Sequence, residues 1–600
     1  MTKFYKLDGA HFYNAMVCGA LEVMENKLIL NKINVFPVAD GDTGSNLSAT
    51  MTSILEHMKK SENLSVVANT AAEGALLGAR GNSGIIFAQF LYGFHMAVEN
   101  EKEIDSGAFI LAMKTSLARL YEVVMSPVEG TILTLITSWI SAMERHHLKE
   151  LHFKAFVSIT MKESLEALER TTEQLPILKE KGVVDSGAKG FYLFLEGVSQ
   201  YLVTGNVPQI GAEIRETSLL PEHKHSQDLE ISENRFCCEA VVNGHKMDVL
   251  QVKRTMSGFG DSLVIAGGGE RIRLHMHTNT PESMFSQLQT FGKLSQIKAD
   301  DMHLQMEAIQ EPRSKIAIVT DSIADLPEGF ARKNQVFVMP MQMEVDGVVH
   351  LDRISLSAKR FYEINRHLKE QPTSSLPSIK QVESLLQFLQ EHYEAVLVLC
   401  VSDQLSGTYE MVASLAALQR KRGQKIAVVN TLKNSGAQGL LVVEACKLAR
   451  QKISLEAMVA QLDVLIPRTQ ILVAVDTVKY LERSGRVSHN VGKIAKWMNL
   501  KPIMTLDKNG KGKAYGGTIS YNSVILKIKK AILKDQQRYG IESFNIVHGA
   551  CLERAEKLSK EMEKMLGMPA AYIAEISPIV GAIAGEGAVA VSYICTKSRE

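Results

Sequence analysis

Cysteine is scarce in this chain: seven cysteines are scattered over 600 residues, and their number is odd. Such a pattern gives no disulfide framework, which excludes the small disulfide-rich folds of secreted proteins. The N-terminus has no basic segment followed by an apolar stretch, so we expect no signal peptide. The sequence therefore predicts a protein of the reducing cytoplasm.

An excess of charge of one sign is also lacking. The chain has 67 basic and 66 acidic side chains and a formal net charge of +1 at pH 7. This balance provides no electrostatic basis for binding nucleic acid or an anionic membrane. The longest apolar segment of the C-terminal tail, residues 579–595, is interrupted by Glu586 and by glycines, so it does not predict a membrane span. We expect no nucleic-acid partner and at most peripheral contact with a membrane.

Strand patterns are missing from residues 1–205, which we expect to form an all-helical domain. Apolar side chains recur there at three- to five-residue spacing, as in Leu7, Phe12 and Met16. Residues 206–312 begin with an irregular linker and continue with short alternating runs. This second segment predicts a small α+β domain.

From residue 313 to residue 600, continuous apolar runs alternate with helical patterns. Runs that are apolar on both faces, such as Ile316–Val319 and Ala395–Val401, indicate parallel strands covered by helices. The segment is long for one doubly wound sheet, so we expect two α/β lobes with a break near Ile466-Pro467. The predicted fold class is multidomain, with an all-α domain, an α+β middle domain and a two-lobed α/β domain.

Two carboxylates stand two residues apart in the run Asn-Val-Phe-Pro-Val-Ala-Asp-Gly-Asp-Thr-Gly-Ser-Asn, residues 34–46. Asp40 and Asp42 lie among glycines and small polar residues, directly before a helical pattern. Hard oxygen ligands at this spacing suit Mg²⁺, which favours carboxylates, water and substrate phosphates. A helix N-cap or a surface turn is the simpler alternative, because Asp and Gly are common turn residues.

Glycine-rich or small-residue turns open helical patterns at Gly78–Gly84, Ser126–Thr131 and Gly182–Gly190. A glycine-rich turn at a helix N-terminus offers backbone N–H groups and the positive end of the helix dipole to a phosphate. Three such turns in one helical domain are more than its loops require. Together with a magnesium site they indicate nucleotide chemistry.

These four motifs, in this order over roughly residues 1–205, resemble the L-subunit family of dihydroxyacetone kinases and, more closely, the kinase domain of bacterial fatty acid kinases. The resemblance implies a helical barrel that binds ATP through Mg²⁺, with two ions, and without a Walker motif. It implies that Asp40 and Asp42 are catalytic metal ligands. The nucleotide contacts that it implies are Asn34 (near a third ligand position), Thr43, Gly44, Ser45, Asn46, Gly81, Asn82, Ser83, Gly84, Thr131 and Asp185.

A second constellation combines Cys237 with His275 and His277. Histidines two residues apart on a strand share one face, and a thiolate with two imidazoles is a Zn²⁺ set that leaves a fourth position open. The simpler reading is one polar strand face. The runs 236–239 and 275–279 resemble a Tyr-Cys-Thr-Glu run and a His-Val-His-Thr-Asn run in the middle domain of fatty acid kinases, which favours zinc. Position favours Cys237 over Cys238 as the ligand.

Hydroxyl-rich turns form a third constellation in the α/β part. Hydroxyls and N–H groups at helix N-termini bind a carboxylate without a charged partner, although each one alone is more commonly a helix cap. Over residues 315–600 the set resembles the DegV family of fatty-acid-binding proteins, which implies that Ser374 and Ser406 hold an acyl carboxylate with Arg486 beside it. The substrate-binding residues expected here are Thr320, Asp321, Ser322, Ser374, Ser406, Gly407, Thr408 and Arg486.

One turn departs from the DegV pattern. The family usually has Gly-x-His-x-Gly-Pro-Gly near its C-terminus, whereas residues 581–587 here place Ile583 at the histidine and Glu586 at the proline. A polar member of the head-group site is therefore missing, and an acid has been added nearby. His548 follows another strand and is only a weak candidate to replace the histidine.

The resemblances together imply an ATP-dependent kinase of fatty acids carried by the same chain, which would make an acyl phosphate. A carboxylate is already a competent nucleophile at pH 7, so no general base is needed. Two alternatives stay open: a lipid-binding or regulatory protein with a different phosphate acceptor or none, and a dihydroxyacetone-type kinase. The expected cofactors are ATP, Mg²⁺ and Zn²⁺, and the expected partners are a long-chain fatty acid and, as an option, a second copy of the chain.

Overall fold

The computed structural model describes residues 5–36, 41–146, 153–208, 233–368, 370–483 and 500–598. The chain divides into two compact units, Met1–Met306 and Glu307–Glu600. Among the described residues, none of the helices has both the length and the apolar character required to cross a bilayer.

Helices dominate the beginning of the first unit. Several start at an aspartate whose side chain caps the helix, as Asp8, Asp105 and Asp185 do. The helices are α1 (Gly9–Glu25), α2 (Lys27–Lys32), α3 (Thr43–His57), α4 (Leu64–Gly78), α5 (Gly81–Ala97), α6 (Ser106–Val123), α7 (Ile132–Arg145), α8 (Phe153–Gln174), α9 (Pro176–Lys181) and α10 (Ser186–Thr204). Their closure into a barrel stays a prediction.

The expectation of an all-helical first domain is wrong in one detail. Strands β1 (Lys6–Asp8) and β2 (Glu103–Asp105) pair antiparallel, with Leu7 opposite Ile104. Both side chains are buried in the helical core. A three-residue strand is too short to show a period-two pattern, so sequence periodicity could not reveal this pair.

The middle part of the first unit is a three-stranded antiparallel sheet with helices. The strands are β3 (Phe236–Met247), β4 (Asp261–Thr278) and β5 (Lys293–Asp301), with β3 in the centre. Helices α11 (Val249–Met256), α12 (Pro281–Leu288) and α13 (Met302–Gln310) accompany them. Val264 and Ala266 of β4 are part of the same apolar core as the helices of residues 9–204.

The second unit contains a four-stranded parallel sheet of strand order β12-β11-β6-β7, as the continuous apolar runs predict. The strands are β6 (Ile316–Asp321), β7 (Val336–Met339), β11 (Ala395–Cys400) and β12 (Ile426–Asn430). A smaller antiparallel sheet contains β8 (Gln342–Val345), β9 (Val348–Leu351) and β10 (Thr373–Ser375). The helices between Phe330 and Arg468 are α14 (Phe330–Asn334), α15 (Ala358–Asn365), α16 (Ile379–His392), α17 (Thr408–Lys421), α18 (Ser435–Arg450) and α19 (Leu455–Arg468).

A six-stranded sheet of order β15-β14-β13-β18-β16-β17 begins at Thr469, just after Ile466-Pro467. Its strands are β13 (Thr469–Ala474), β14 (Lys501–Leu506), β15 (Gly512–Thr518), β16 (Ile541–His548), β17 (Ile573–Glu575) and β18 (Val589–Cys595), with helices α20 (Lys479–Arg483), α21 (Tyr521–Tyr539), α22 (Leu552–Leu566) and α23 (Pro578–Ala584). The prediction of parallel strands is wrong here, because only β16 and β17 pair in parallel. A strand buried on both faces has the same apolar pattern in either direction.

Candidate functional site

The aspartate-containing loop leads into α3. Asp42 occupies the N-cap position of that helix, but its side chain makes no capping hydrogen bond. The helix-cap alternative therefore does not account for this carboxylate. The hydroxyl of Thr43 donates to Oδ1 of the buried Asn34 over 2.8 Å, which places the predicted third ligand position beside the start of α3. Asp40, the other predicted ligand, lies outside the described residues.

Asn31, which the sequence reasoning missed, fixes the start of α3. Its Oδ1 accepts from the backbone N–H of Ser45, and its Nδ2 donates to the Ser45 hydroxyl, both over 3.0 Å. A Cβ at Gly44 would lie 2.1 Å from the carbonyl oxygen of Lys27, so close packing alone requires glycine there. The only hint in the sequence was a second asparagine three residues before Asn34.

The turn between α4 and α5 lies directly against α3. Gly81, the first residue of α5, has φ +58°, and a Cβ there would lie 2.6 Å from Nδ2 of Asn46. A Cβ at Gly187, the second residue of α10, would lie 2.6 Å from the Ser83 hydroxyl. Motifs at residues 41–46, 81–84 and 185–187 are therefore brought together, as a nucleotide site would require.

Two further predicted contacts are occupied by local structure. Asp185 is buried and accepts from the backbone N–H of Ala188 over 2.7 Å, and burial raises its pKa to about 7. The hydroxyl of Thr131 donates to the carbonyl oxygen of Val128 over 2.7 Å. Asp185 caps the start of α10, whereas the Thr131 hydroxyl is bound within the turn that precedes α7. Both side chains have local partners, and their nucleotide contacts stay predictions.

The middle-domain sheet presents a polar face of two cross-strand rows. In one row His277, Cys237 and Asp300 are neighbours, and in the other His275, Glu239 and Lys298 are neighbours. Cys238 points to the opposite face and is fully buried in the apolar core. The period-two alternation of β3 and β4 thus distinguishes the two adjacent cysteines.

The predicted zinc ligands come together. One ligand atom from each of Cys237, His275 and His277 lies within 4.8 Å of the others. Within the described part of the chain, the buried Nε2 of His275 has no hydrogen-bond partner. Burial raises the pKa of the Cys237 thiol well above its usual value and lowers the pKa of His277 to about 3. One half-buried thiol and two buried imidazoles, with an orphaned ring nitrogen, fit a zinc ion.

This sheet face contacts the Gly81 turn of the helical domain, the turn between α4 and α5 that is predicted to bind phosphate (the phosphate turn). Oε1 of Glu239 accepts from the backbone N–H of Gly81 over 2.8 Å, although the two residues are 158 positions apart. Arg273 donates to the other oxygen of Glu239 over 3.0 Å and to the carbonyl oxygen of Leu77 over 3.1 Å. The predicted nucleotide turn and the predicted zinc set therefore belong to one composite site.

Electrostatics link the same groups. Burial alone would raise the pKa of Glu239, yet the hydrogen bond from His275 and the charges of Arg273 and Lys298 hold it well below its usual value. Burial lowers the pKa of Lys298, but the neighbouring acidic groups Asp300, Glu239, Cys237 and Asp42 together raise it above its usual value. Glu239, Arg273 and Lys298 were not predicted as site residues, although Glu239 and Arg273 each lie two residues from Cys237 and His275 respectively on the same strand.

In the second unit, the polar residues at the end of β6 are bound internally. The carboxylate of Asp321 accepts from the backbone N–H groups of Val401 and Ile323 and from Gln438, and burial raises its pKa to about 6. Thr320 donates to the carbonyl oxygen of Leu399, and Ser322 donates to Asp352 over 2.6 Å. These side chains join neighbouring strands and loops, so their predicted ligand role is untested.

The two predicted carboxylate-binding turns lie close together. A Cβ at Gly407 would lie 3.8 Å from the side chain of Leu376, two residues after Ser374. The hydroxyls of Ser406 and Thr408 are 2.8 Å apart, and Thr408 contacts Met341 of a buried apolar cluster. The turns thus combine an exposed hydroxyl group (Ser374), a half-buried one (Ser406) and a buried one (Thr408) with an apolar neighbourhood, which suits a carboxylate with a hydrocarbon tail. Arg486 lies outside the described residues.

The turn that departs from the DegV pattern contains an acidic residue whose charge is balanced by an arginine. Glu586 accepts two hydrogen bonds from Arg366, and that contact lowers the pKa of Glu586. His548 is buried and its Nδ1 accepts from the backbone N–H of Cys551. The hydroxyl of Tyr362, which lacks a partner among the described residues, would lie 2.5 Å from a Cβ at Gly581. Tyr362 is thus another polar group at this turn that the sequence reasoning missed.

Comparisons with known proteins agree with this division. Family models match residues 37–200 as a DAK2 domain, residues 233–309 as a fatty acid kinase-like (FakA-like) middle domain, and residues 315–596 as an uncharacterised protein of the DegV family. The resemblances that the motifs gave are therefore confirmed at the level of domains.

Protein YloV of Bacillus subtilis is 34% identical over 322 residues, which cover 52% of this chain and 58% of that protein. An uncharacterized protein of Staphylococcus aureus USA300 is 34% identical over 310 residues, which cover 50% of this chain and 56% of that protein. The chain therefore spans little more than half the length of these curated relatives.

Two solved structures resemble the C-terminal half. One is a DegV family protein from Thermus thermophilus described as binding fatty acid. Its sequence identity is 26%, the match covers 47% of this chain and 99% of that chain, and the TM-score is 0.43. The other is DegV of Bacillus subtilis, described as a fatty acid binding protein. Its sequence identity is 24%, the match covers 47% of this chain and 100% of that chain, and the TM-score is 0.42. The family matches carry the assignment: this chain joins a DAK2 domain, a fatty acid kinase-like middle domain and a DegV family domain in one polypeptide.

Proposed function

We propose that this protein transfers the γ-phosphoryl group of ATP to the carboxylate of a long-chain fatty acid bound by its DegV domain. A carboxylate oxygen attacks the γ-phosphorus, the bond to the oxygen bridging the β- and γ-phosphates breaks, and ADP leaves. The products are an acyl phosphate and ADP. No proton has to be removed from the acceptor, because a carboxylic acid with a pKa of about 4 to 5 is ionised at pH 7.

The observation that carries this proposal is the contact of the middle-domain sheet face with the phosphate turn. Glu239 accepts from Gly81 over 2.8 Å, and the set Cys237, His275 and His277 lies on the same face. A DAK2 domain that bound the nucleotide with the Gly81 turn alone would not require the additional polar residues of the middle-domain sheet face. A middle domain that matches the fatty acid kinase-like family supports the acyl acceptor.

The expected metals have distinct donor sets. Asp40 and Asp42 would hold Mg²⁺, with Asn34 near a third ligand position at the start of α3, and the ion when bound neutralises phosphate charge during transfer. Cys237, His275 and His277 would hold Zn²⁺, which when bound polarises an oxygen atom as a Lewis acid. Lys298, near both sets, adds a fixed positive charge where two anions have to meet.

The test of the proposed function is formation of an acyl phosphate by the full chain. Purified protein is incubated with Mg²⁺, ATP and oleate, and hydroxylamine converts any acyl phosphate to a hydroxamate that mass spectrometry identifies. We expect oleoyl hydroxamate only when ATP and oleate are both present. Release of ADP without hydroxamate would favour a kinase with another acceptor, such as a dihydroxyacetone-type kinase.

Ser406→Ala is expected to weaken oleate binding between about 10-fold and 100-fold, because a hydrogen bond to a charged group contributes about 1.5–3 kcal/mol. Titration with labelled oleate measures the change. Ser414→Ala is the matched control, since Ser414 lies on the same helix α17 and donates to the backbone of Glu410. Equal oleate affinity in both variants would remove Ser406 from the carboxylate site.

Restoring the DegV turn with Ile583→His and Glu586→Pro is expected to strengthen oleate binding and to increase hydroxamate yield, because the histidine adds a donor for the buried carboxylate. Glu586→Pro alone is the control, since it removes only the partner of Arg366. If the native protein already forms hydroxamate at full rate and the double substitution changes neither oleate binding nor hydroxamate yield, Ile583 is not a defect.

The alternative function, a lipid-binding or regulatory protein, predicts that both the native and the substituted protein bind oleate and that neither forms hydroxamate.

A further inference from the structure

Glu239 is a buried carboxylate with partners in two domains. Its side chain is 2% exposed. Oε1 accepts from the N–H of Gly81 over 2.8 Å and lies 3.4 Å from Nδ1 of His275, while Oε2 accepts from Arg273 over 3.0 Å. One carboxylate thus joins the first residue of α5 to a residue of the zinc set.

The Gly81 end of this network lies at the start of α5, in the phosphate turn. The first N–H groups of a helix have no partner within the helix. Glu239 takes the N–H of Gly81, which leaves those of Asn82 and Ser83 as the helix-terminal donors for an anion. Arg273 holds the turn from its other side through the carbonyl oxygen of Leu77. The negative charge of Glu239 is balanced by Arg273 and therefore does not oppose a phosphate at full strength.

The His275 end of this network belongs to the proposed metal set. Histidines that bind a metal through one ring nitrogen generally donate the other ring N–H to a carboxylate, which fixes the tautomer and the orientation of both groups. Nδ1 of His275 lies 3.4 Å from Oε1 of Glu239 and 3.8 Å from Sγ of Cys237, and its buried Nε2 lacks a partner in the part of the chain that the structure describes. A metal that His275 binds through Nε2 would leave the Nδ1 proton to donate to Glu239, which would hold that carboxylate in the position in which it accepts from Gly81.

We propose that Glu239 is a positioning residue that couples occupancy of the Cys237–His275–His277 set to nucleotide affinity at the Gly81 turn. The coupling rests on the proposed nucleotide site but not on the identity of the acceptor. A turn that is already fixed loses less freedom when the nucleotide binds, so the sign is positive. By reciprocity, nucleotide must raise zinc affinity by the same factor, and couplings of this kind are about 5- to 150-fold.

The experiment is calorimetric titration of the full chain with a non-hydrolysable ATP analogue and Mg²⁺, in zinc-loaded and chelator-treated protein. We expect the analogue to bind at least about 5-fold more tightly to the zinc-loaded form. In Glu239→Gln the ratio of the two dissociation constants is expected to fall to about 1. Glu270→Gln is the matched control, because Glu270 is on β4 and its side chain is 85% exposed; it should keep the wild-type ratio.

Two outcomes overturn the coupling: a ratio of 1 in the wild type, or an unchanged ratio in Glu239→Gln. If Glu239→Gln does not fold, the wild-type protein still tests the coupling. Its zinc dissociation constant must fall by the same factor when the analogue is added. Coupling without any hydroxamate leaves the inference standing and removes the acyl acceptor. Hydroxamate formation without coupling would support the acyl acceptor and overturn the coupling. Absence of nucleotide binding at every zinc level removes both.

Discussion

Asp42→Asn is expected to reduce Mg²⁺-dependent nucleotide turnover at least about 100-fold, because a bound metal contributes several kcal/mol to stabilisation of the transition state. The fold should survive, since the Asp42 side chain does not cap α3 and asparagine retains its size. Turnover is measured as ADP released from ATP, and thermal unfolding is measured on the same samples. Asp40→Asn should behave in the same way.

Asp105→Asn is the matched control for this loss. Asp105 precedes α6, and its Oδ1 caps the helix by accepting from Ala108 over 2.8 Å. Asparagine caps helices nearly as well as aspartate, so neither turnover nor stability should change. Full turnover in both Asp40→Asn and Asp42→Asn would place the magnesium site elsewhere.

The second large effect concerns zinc. The protein, purified without a metal-affinity tag, is expected to contain about one zinc per chain, and the double substitution His275→Ala with His277→Ala should remove it. The cause is the loss of two of the three donors that lie within 4.8 Å of one another. Elemental analysis by mass spectrometry measures the zinc content.

Adjacent cysteines provide a sharper comparison for the same site. Cys237→Ser should lose zinc, whereas Cys238→Ala should retain it, because Cys238 lies in the apolar core on the other face of β3. Cys238→Ala is expected to lower stability modestly through the small cavity that it creates. Equal zinc content in both cysteine variants, or a zinc-free wild type, would refute the assignment.

Sequence reasoning reached the local parts of the site and missed the contacts between them. The motif around Asp42 and the Cys237–His275–His277 set could be found because each depends on spacing within one or two segments. The hydrogen bond from Gly81 to Glu239 joins residues 158 positions apart, and no local pattern encodes such a pairing. Glu239 also looked ordinary because acidic residues are usually solvated, and only its burial between Arg273 and His275 reveals its role.

The same limit applies to the fold. The parallel sheet of β6, β7, β11 and β12 followed from its apolar runs, but the direction of the strands from Thr469 onward did not. Burial sets the apolar character of a strand, whereas direction depends on the connections between strands. The connection from β13 to β18 spans over a hundred residues, which sequence periodicity cannot assess.

The participation of Val264 and Ala266 in the helical core has a practical consequence for work with fragments. A truncated chain that stops near residue 205, where the helical pattern ends, would lack the strand that covers part of its apolar interior. Removing β4 would also break the hydrogen bond between Met125 and Leu263 and the contact of Gln89 with Gly267. The family boundary near residue 200 thus lies inside one compact unit, and we expect the smallest autonomous fragment of this half to extend through the middle-domain sheet.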